Sequence, residues 1–65
     1  MLGKVKWFNN KRGYGFITGD NGKEYFIHQT NINMDGFRKL KDGQDVTFDE
    51  IVKEKGLEAI NVSLR

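Results

Sequence analysis

Cysteine and proline are both absent from the 65-residue sequence, and histidine occurs once, as His28. Without Cys there can be neither a disulfide nor a thiolate zinc site, and a lone His excludes a His-rich metal centre. No metal and no other cofactor is therefore expected. Because no X–Pro bond exists, refolding is expected to lack an isomerisation-limited phase of tens of seconds. No apolar run approaches the roughly 20 residues that span a bilayer, and no signal-peptide-like apolar stretch follows Met1. The expectation is a soluble, cytoplasmic protein with no membrane partner. A chain this short holds a single core, so residues 1–65 are read as one domain.

Against these absences one class is over-supplied. Eight residues are aromatic (Trp7, Phe8, Tyr14, Phe16, Tyr25, Phe26, Phe37 and Phe48), in a chain that is 31% charged with a mean hydropathy of −0.66. A core this small must also take Val5, Ile17, Ile27, Ile32, Val46, Ile51, Ile60 and Val62. Each buried ring fills ~150–250 Å² of contact area, so some rings are expected on the surface. The net charge of +2 is uneven. Residues 1–19 hold Lys4, Lys6, Lys11 and Arg12 and no acid, together with four of the eight rings. Bases interleaved with rings are the pattern that a polyanion carrying flat bases would select.

Glycines at 3, 13, 15, 19, 22, 36, 43 and 56 divide the chain into short segments rich in β-branched and aromatic residues, which predicts strands near 3–9, 13–18, 23–28, 45–52 and 58–64. Asn21-Gly22 is a hairpin signal in which both positions tolerate positive φ, and Lys55-Gly56 marks a second hairpin. No window keeps a 3.6-residue period. Thr30 could cap a single turn through Ile32, and residues 29–44 otherwise read as a polar connection. Five short strands with a long connection after the third predict an all-β, five-stranded antiparallel Greek-key barrel of OB type, whose closure removes exposed edges.

Alternation sorts the rings. Tyr14, Phe16 and Thr18 share one face of the second strand, and Glu24, Phe26 and His28 one face of the third. Ile17, Tyr25 and Ile27 lie opposite. Placing the isoleucines inside leaves Tyr14, Phe16, Phe26 and His28 outside, and explains Gly13 and Gly15 as relief of crowding within a coiled strand. The inverted assignment would expose Ile17, Tyr25 and Ile27 and bury Glu24 and His28. In the first strand, alternation cannot put both Trp7 and Phe8 on the ring face. A β-bulge near Lys6 or Trp7 would turn Trp7 outward, and the strand alone leaves this open. Phe48 alternates with Val46 and is assigned to the core.

Arg12-Gly13-Tyr14-Gly15-Phe16-Ile17 matches the opening of the RNP1 pattern with Ile for Val: a base for phosphate, then alternate rings for stacking. Tyr25-Phe26-Ile27-His28 resembles its partner RNP2. In an RRM domain this motif lies past mid-chain in a longer fold with two helices, which this sequence cannot supply. With Lys4-Val5-Lys6-Trp7-Phe8-Asn9, Gly36-Phe37 and Gly43-Gln44 added in order and spacing, the whole chain resembles a bacterial cold-shock protein. The resemblance implies a cold-shock domain spanning 1–65 that binds single-stranded RNA and DNA with little sequence selectivity. It also implies an RNA chaperone that melts transcript structure and influences transcription and translation in the cold. Carried over, the nucleic-acid-binding residues are Lys6, Trp7, Phe8, Arg12, Tyr14, Phe16, Phe26, His28 and Phe37, with Trp7 facing outward. An inward anchor in the long connection is the other reading of Phe37.

The chain makes four departures from the family pattern. Gln29 follows His28 where an aromatic is usual, Tyr25 replaces a small β-branched core residue, Gly56-Leu57 replaces Gly-Pro, and Lys23-Glu24 replaces a more acidic pair. A catalytic role for His28 would require a nucleophile or carboxylate partner at recognisable spacing, and none is present. No enzymatic activity and no small-molecule substrate is expected, and a monomer is the default. Asn61-Val62-Ser63 has the form of a glycosylation sequon without a secretory context. A basic SH3-like barrel on duplex DNA and a peptide-binding barrel remain as rival classes.

Overall fold

A computed structural model describes residues 1–33 and 39–65. Five strands carry the chain: β1 (Leu2–Asn9), β2 (Tyr14–Gly19), β3 (Glu24–His28), β4 (Asp45–Lys53) and β5 (Gly56–Leu64), with a 3-10 turn at Gln29–Asn31. They close into a barrel in the order β1-β2-β3-β5-β4, with β4 returning to β1. Four seams are antiparallel. The fifth, β3–β5, is parallel at Phe26↔Glu58 and is extended by an isolated parallel bridge, Ile32↔Val62. Parity requires this refinement of the all-antiparallel expectation, because an odd number of strands cannot alternate direction around a closed ring.

The expected alternation holds along β2 and β3. Ile17, Tyr25 and Ile27 are fully buried, whereas Tyr14, Phe16, Phe26 and His28 are half-buried on the outer face. Val5, Phe8, Ile32, Leu40, Val46, Phe48, Ala59 and Val62 complete the core. Leu40 enters from the long connection that the sequence marked as merely polar. Reciprocal amide bonds hold it in place: Leu40 N–H donates to Asn10 Oδ1 (3.0 Å), and Asn10 Nδ2 donates to the Leu40 carbonyl (3.1 Å). Ile51 and Ile60, expected in the core, are only half-buried.

Two bulges account for the residues that leave strict alternation. In β1 the register passes from Val5↔Ile17 to Trp7↔Phe16, so Lys6 is the extra residue. In β5 it passes from Thr47↔Ser63 to Asp49↔Ile60, which makes the extra residue fall between Ile60 and Ser63. Asn61 there adopts φ 51°, the left-handed conformation that Asn tolerates better than most residues, and donates from Nδ2 to Asp49 Oδ2 (3.0 Å). The residue that resembled a sequon thus has a structural task. Ala59 and Val62 are buried on either side of it.

The first hairpin differs from the two-residue turn that Asn21-Gly22 announced. Its loop is Asp20–Gly22, closed by Gly19 N–H to the Lys23 carbonyl (2.8 Å) and Gly22 N–H to the Gly19 carbonyl (2.9 Å). Only Gly22 takes positive φ, at 81°, as in a turn followed by a one-residue bulge. Asn21 serves through its side chain instead, accepting from Lys23 N–H (3.0 Å) and donating to the Tyr25 hydroxyl (2.9 Å). The 3-10 turn is also capped one step earlier than expected. His28, not Thr30, is the cap, because its Nδ1 accepts from Thr30 N–H (3.3 Å).

Candidate nucleic-acid interface

The bulge at Lys6 builds the site. One extra residue in β1 turns Trp7 to the outer face, directly across from Phe16, and leaves the residue 37% exposed. Such a bulge needs room beneath it, and Gly15 provides that room. A Cβ at Gly15 would lie 2.2 Å from the Trp7 carbonyl oxygen and 2.7 Å from Phe8 Cα. The glycine that sequence reasoning took as relief of crowding is thus the point where β2 meets the bulged backbone.

Four rings then form a closed circuit of contacts. Trp7 meets Tyr14 edge-on (centroids 5.8 Å, 74°) and Phe16 at a tilt (5.6 Å, 55°). Tyr14 stacks near Phe26 (6.1 Å, 28°), and Phe16 meets Phe26 edge-on (5.8 Å, 76°). These are favourable aromatic geometries, and they hold the rings without burying them. His28 pairs in register with Tyr14 and extends the row. Its Nδ1 is occupied by Thr30, lying 3.0 Å from Thr30 Oγ1 as well as accepting the backbone N–H. In the neutral ring this places the proton on Nε2, which leaves an N–H donor free for a ligand.

Charge frames the rings. Lys6 rides on the bulge and reaches across the face to Glu24, Nζ to Oε1 2.5 Å, with both side chains about half exposed. Arg12 lies in the turn between β1 and β2, where Asn9 Oδ1 accepts from Arg12 N–H (2.9 Å) and Lys11 N–H (3.1 Å). Its guanidinium has no ion-pair partner among the described residues.

Of the nine nominated residues, the structure brings together Lys6, Trp7, Tyr14, Phe16, Phe26 and His28, with Arg12 on the adjoining turn. Phe8 is a correction. Alternation resumes after the bulge, so Phe8 points inward and is 8% exposed, a core residue opposite Gly15. Phe37 lies outside the described residues.

A family profile described as 'Cold-shock' DNA-binding domain matches residues 1–65. The chain belongs to the cold-shock domain family. Curated relatives agree in length as well as sequence. Cold shock protein 1 of Lactiplantibacillus plantarum is 53% identical over 60 residues, covering 92% of this chain and 91% of its own. A cold shock-like protein of Thermotoga maritima is 50% identical over 64 residues, covering 98% and 97%. Cold shock-like protein CspA of Stigmatella aurantiaca is 56% identical over 61 residues, covering 92% and 90%. Cold-shock domains are nucleic-acid-binding domains, and the ring face is where this one offers the matching chemistry. Among the described residues, no helix is long and apolar enough to cross a membrane, and no cluster of His, Cys, Asp and Glu is arranged to hold a metal ion.

Sequence reasoning passed over two features of this cold-shock domain. Glu24, Glu58 and Leu57 join Phe16 and Phe26 around a cleft of about 440 Å³ where β3 meets β5. Glu24 was visible as a face-mate of Phe26, whereas Glu58 reaches the site through a parallel seam that no local pattern announces. The second feature is Glu50, whose Oε2 accepts from the hydroxyl of the buried Tyr25, a ring that packs on Phe48 (4.9 Å). The Glu50 hydrogen bond, followed by burial, raises the Tyr25 pKa above its ordinary value.

Proposed function

We propose that this domain binds single-stranded RNA and DNA by stacking successive bases on Trp7, Tyr14, Phe16, Phe26, His28 and Phe37. Lys6 and Arg12 attract the phosphates. The observation that carries this reading is the four-ring circuit held half-exposed beside a base-rich edge. Every base has a π-face, so such a platform tolerates sequence, with each stacked base contributing ~1–3 kcal/mol. A duplex hides those faces. Binding therefore favours the open strand and melts structure without ATP, which is the action of an RNA chaperone on transcripts in the cytoplasm. Through it the protein influences transcription and translation at low temperature, working as a monomer and not as an enzyme.

A titration of oligo-dT and of a matched duplex, read through Trp7 fluorescence at two salt concentrations, tests this. Quenching by the single strand is expected, with log K falling against log salt at a slope of roughly −2 if about three phosphates are neutralised. Preference for the duplex, or affinity independent of salt, would overturn the proposal.

A further inference from the structure

The cleft between β3 and β5 stands apart from the rest of the ring face because its edge is acidic. Phe16, Phe26 and Leu57 supply apolar walls, Glu24 and Glu58 both line it, and Lys55 stands at its rim. Its volume of about 440 Å³ is ample for one nucleobase. Two carboxylates repel a polyanion in general, so their presence beside stacking rings calls for a base whose edge they satisfy. Each is held by a lysine that engages one oxygen: Lys6 takes Glu24 Oε1, and Lys53 takes Glu58 Oε2 at 3.3 Å. Glu58 is the more sheltered, with its side chain 24% exposed, and its backbone pairs with Phe26 itself. The tethers orient both groups, and the second oxygen of each is left clear of its lysine.

The geometry points to a guanine-selective subsite in this cleft, with Glu58 reading the base edge and Glu24 guarding the rim. The inference rests on the single-strand reading above and deepens it. A carboxylate accepts hydrogen bonds and donates none. Guanine offers two adjacent donors, N1–H and N2–H₂, that match the two oxygens of one carboxylate, because the oxygen facing Lys53 keeps a further lone pair. Thymine and uracil offer a single N3–H flanked by two keto oxygens, which Glu58 and Glu24 repel. Adenine and cytosine offer one amino group beside a ring-nitrogen acceptor, and so make a single good bond. Sequence tolerance along the ring row thus coexists with selection at one position. Lys55, which has no ion-pair partner among the described residues, is placed to meet the phosphate of the selected nucleotide.

The test compares heptamers of dT in which the central residue is dT, dA, dC, dG or deoxyinosine, titrated against Trp7 fluorescence. The expected result is dG tighter than dT by about five- to tenfold, at the lower end of what a good bidentate contact discriminates at such an open site. Inosine, which keeps N1–H and lacks N2–H₂, falls between them. Glu58→Gln converts the edge to one acceptor and one donor, and is expected to bring the dG:dT ratio to about one or below. Its fold is checked by circular dichroism and thermal melting, and Glu24→Gln supplies a second variant in which the ratio also falls. Equal affinity for dA and dG would assign the preference to purine stacking and overturn the inference. Equal affinity for dG and dT would do the same, with binding of every heptamer leaving the single-strand reading intact. Failure of all the heptamers to bind would overturn both.

Discussion

Two ring clusters in this small barrel use the same side-chain chemistry to opposite ends. On the outer face Trp7, Tyr14, Phe16 and Phe26 touch one another edge to face and remain half-exposed. Inside, Tyr25 and Phe48 pack at 4.9 Å and are nearly inaccessible. Tyr25 and Phe26 are neighbours in one strand, so composition cannot distinguish them. Pleat parity does, and in β1 a single inserted residue resets that parity between Trp7 and Phe8. A ring here is a binding platform or a core residue according to register, and changes to register should therefore act differently from changes to rings.

The largest effect is expected at the point that sets the register. Gly15→Val puts side-chain atoms into the Trp7 carbonyl and Phe8 backbone, neither of which can yield without undoing the bulge. A loss of about 3 kcal/mol or more is expected, comparable to the whole stability of a domain this size, and far-ultraviolet circular dichroism with urea titration would show it. Next comes the contrast across the bulge. Phe8→Ala empties core volume and should lower stability by about 3 kcal/mol. Phe16→Ala should lower stability by less than half as much while weakening oligo-dT binding by ~1–3 kcal/mol, about five- to 150-fold. Equal stability losses at the two positions would break the division between platform and core.

The two tyrosines sharpen it further. Because the folded-state pKa of Tyr25 is raised, the folded protein holds that proton more tightly than the unfolded chain. The resulting stabilisation is fully present below the ordinary tyrosine pKa near 10, and is lost as pH rises from there through the raised value. Tyr25→Phe should therefore lower the melting temperature at neutral pH and flatten its alkaline decline. Tyr14→Phe, on the outer face, should leave that alkaline decline in place. Melting curves from pH 8 to 11 would separate the two.

How much of this was legible follows from the range over which each determinant acts. Alternation is local, so Ile17 and Ile27 fixed the inner face of β2 and β3 and thereby placed Tyr14, Phe16, Phe26 and His28 outside. The bulge at Lys6 is one residue in a pairing with another strand, so β1 alone left Trp7 undecided, and it was the family resemblance that carried Phe8 to the ring face. Tyr25 was visible as an inward ring standing in place of a small core residue. Its partner Glu50, on the inward parity of Val46 and Phe48 but beyond the core, was not nominated. Leu40 was hidden because its burial depends on Asn10 across 30 positions of chain. Glu58 was hidden because β3–β5 is the one parallel seam. Parity demands such a seam in a five-stranded barrel but does not say where it lies.

The smallest expected effect concerns Lys6, whose charge belongs to the outer cluster but is answered by Glu24 on the same face. An exposed pair of this kind contributes less than about 1 kcal/mol to stability, so its interest lies in binding. A phosphate approaching Lys6 competes with a carboxylate already in place, and Lys6 contributes less than a full charge to counterion release. In Glu24→Gln that competition ends. The slope of log K for oligo-dT against log salt should become steeper by up to about 0.7, the increment for one additional phosphate on a single strand. Melting temperature should change little, because the core rings do not touch this pair. An unchanged slope would mean that Lys6 stands clear of the backbone, and would leave the attraction of phosphate to Arg12 and Lys55.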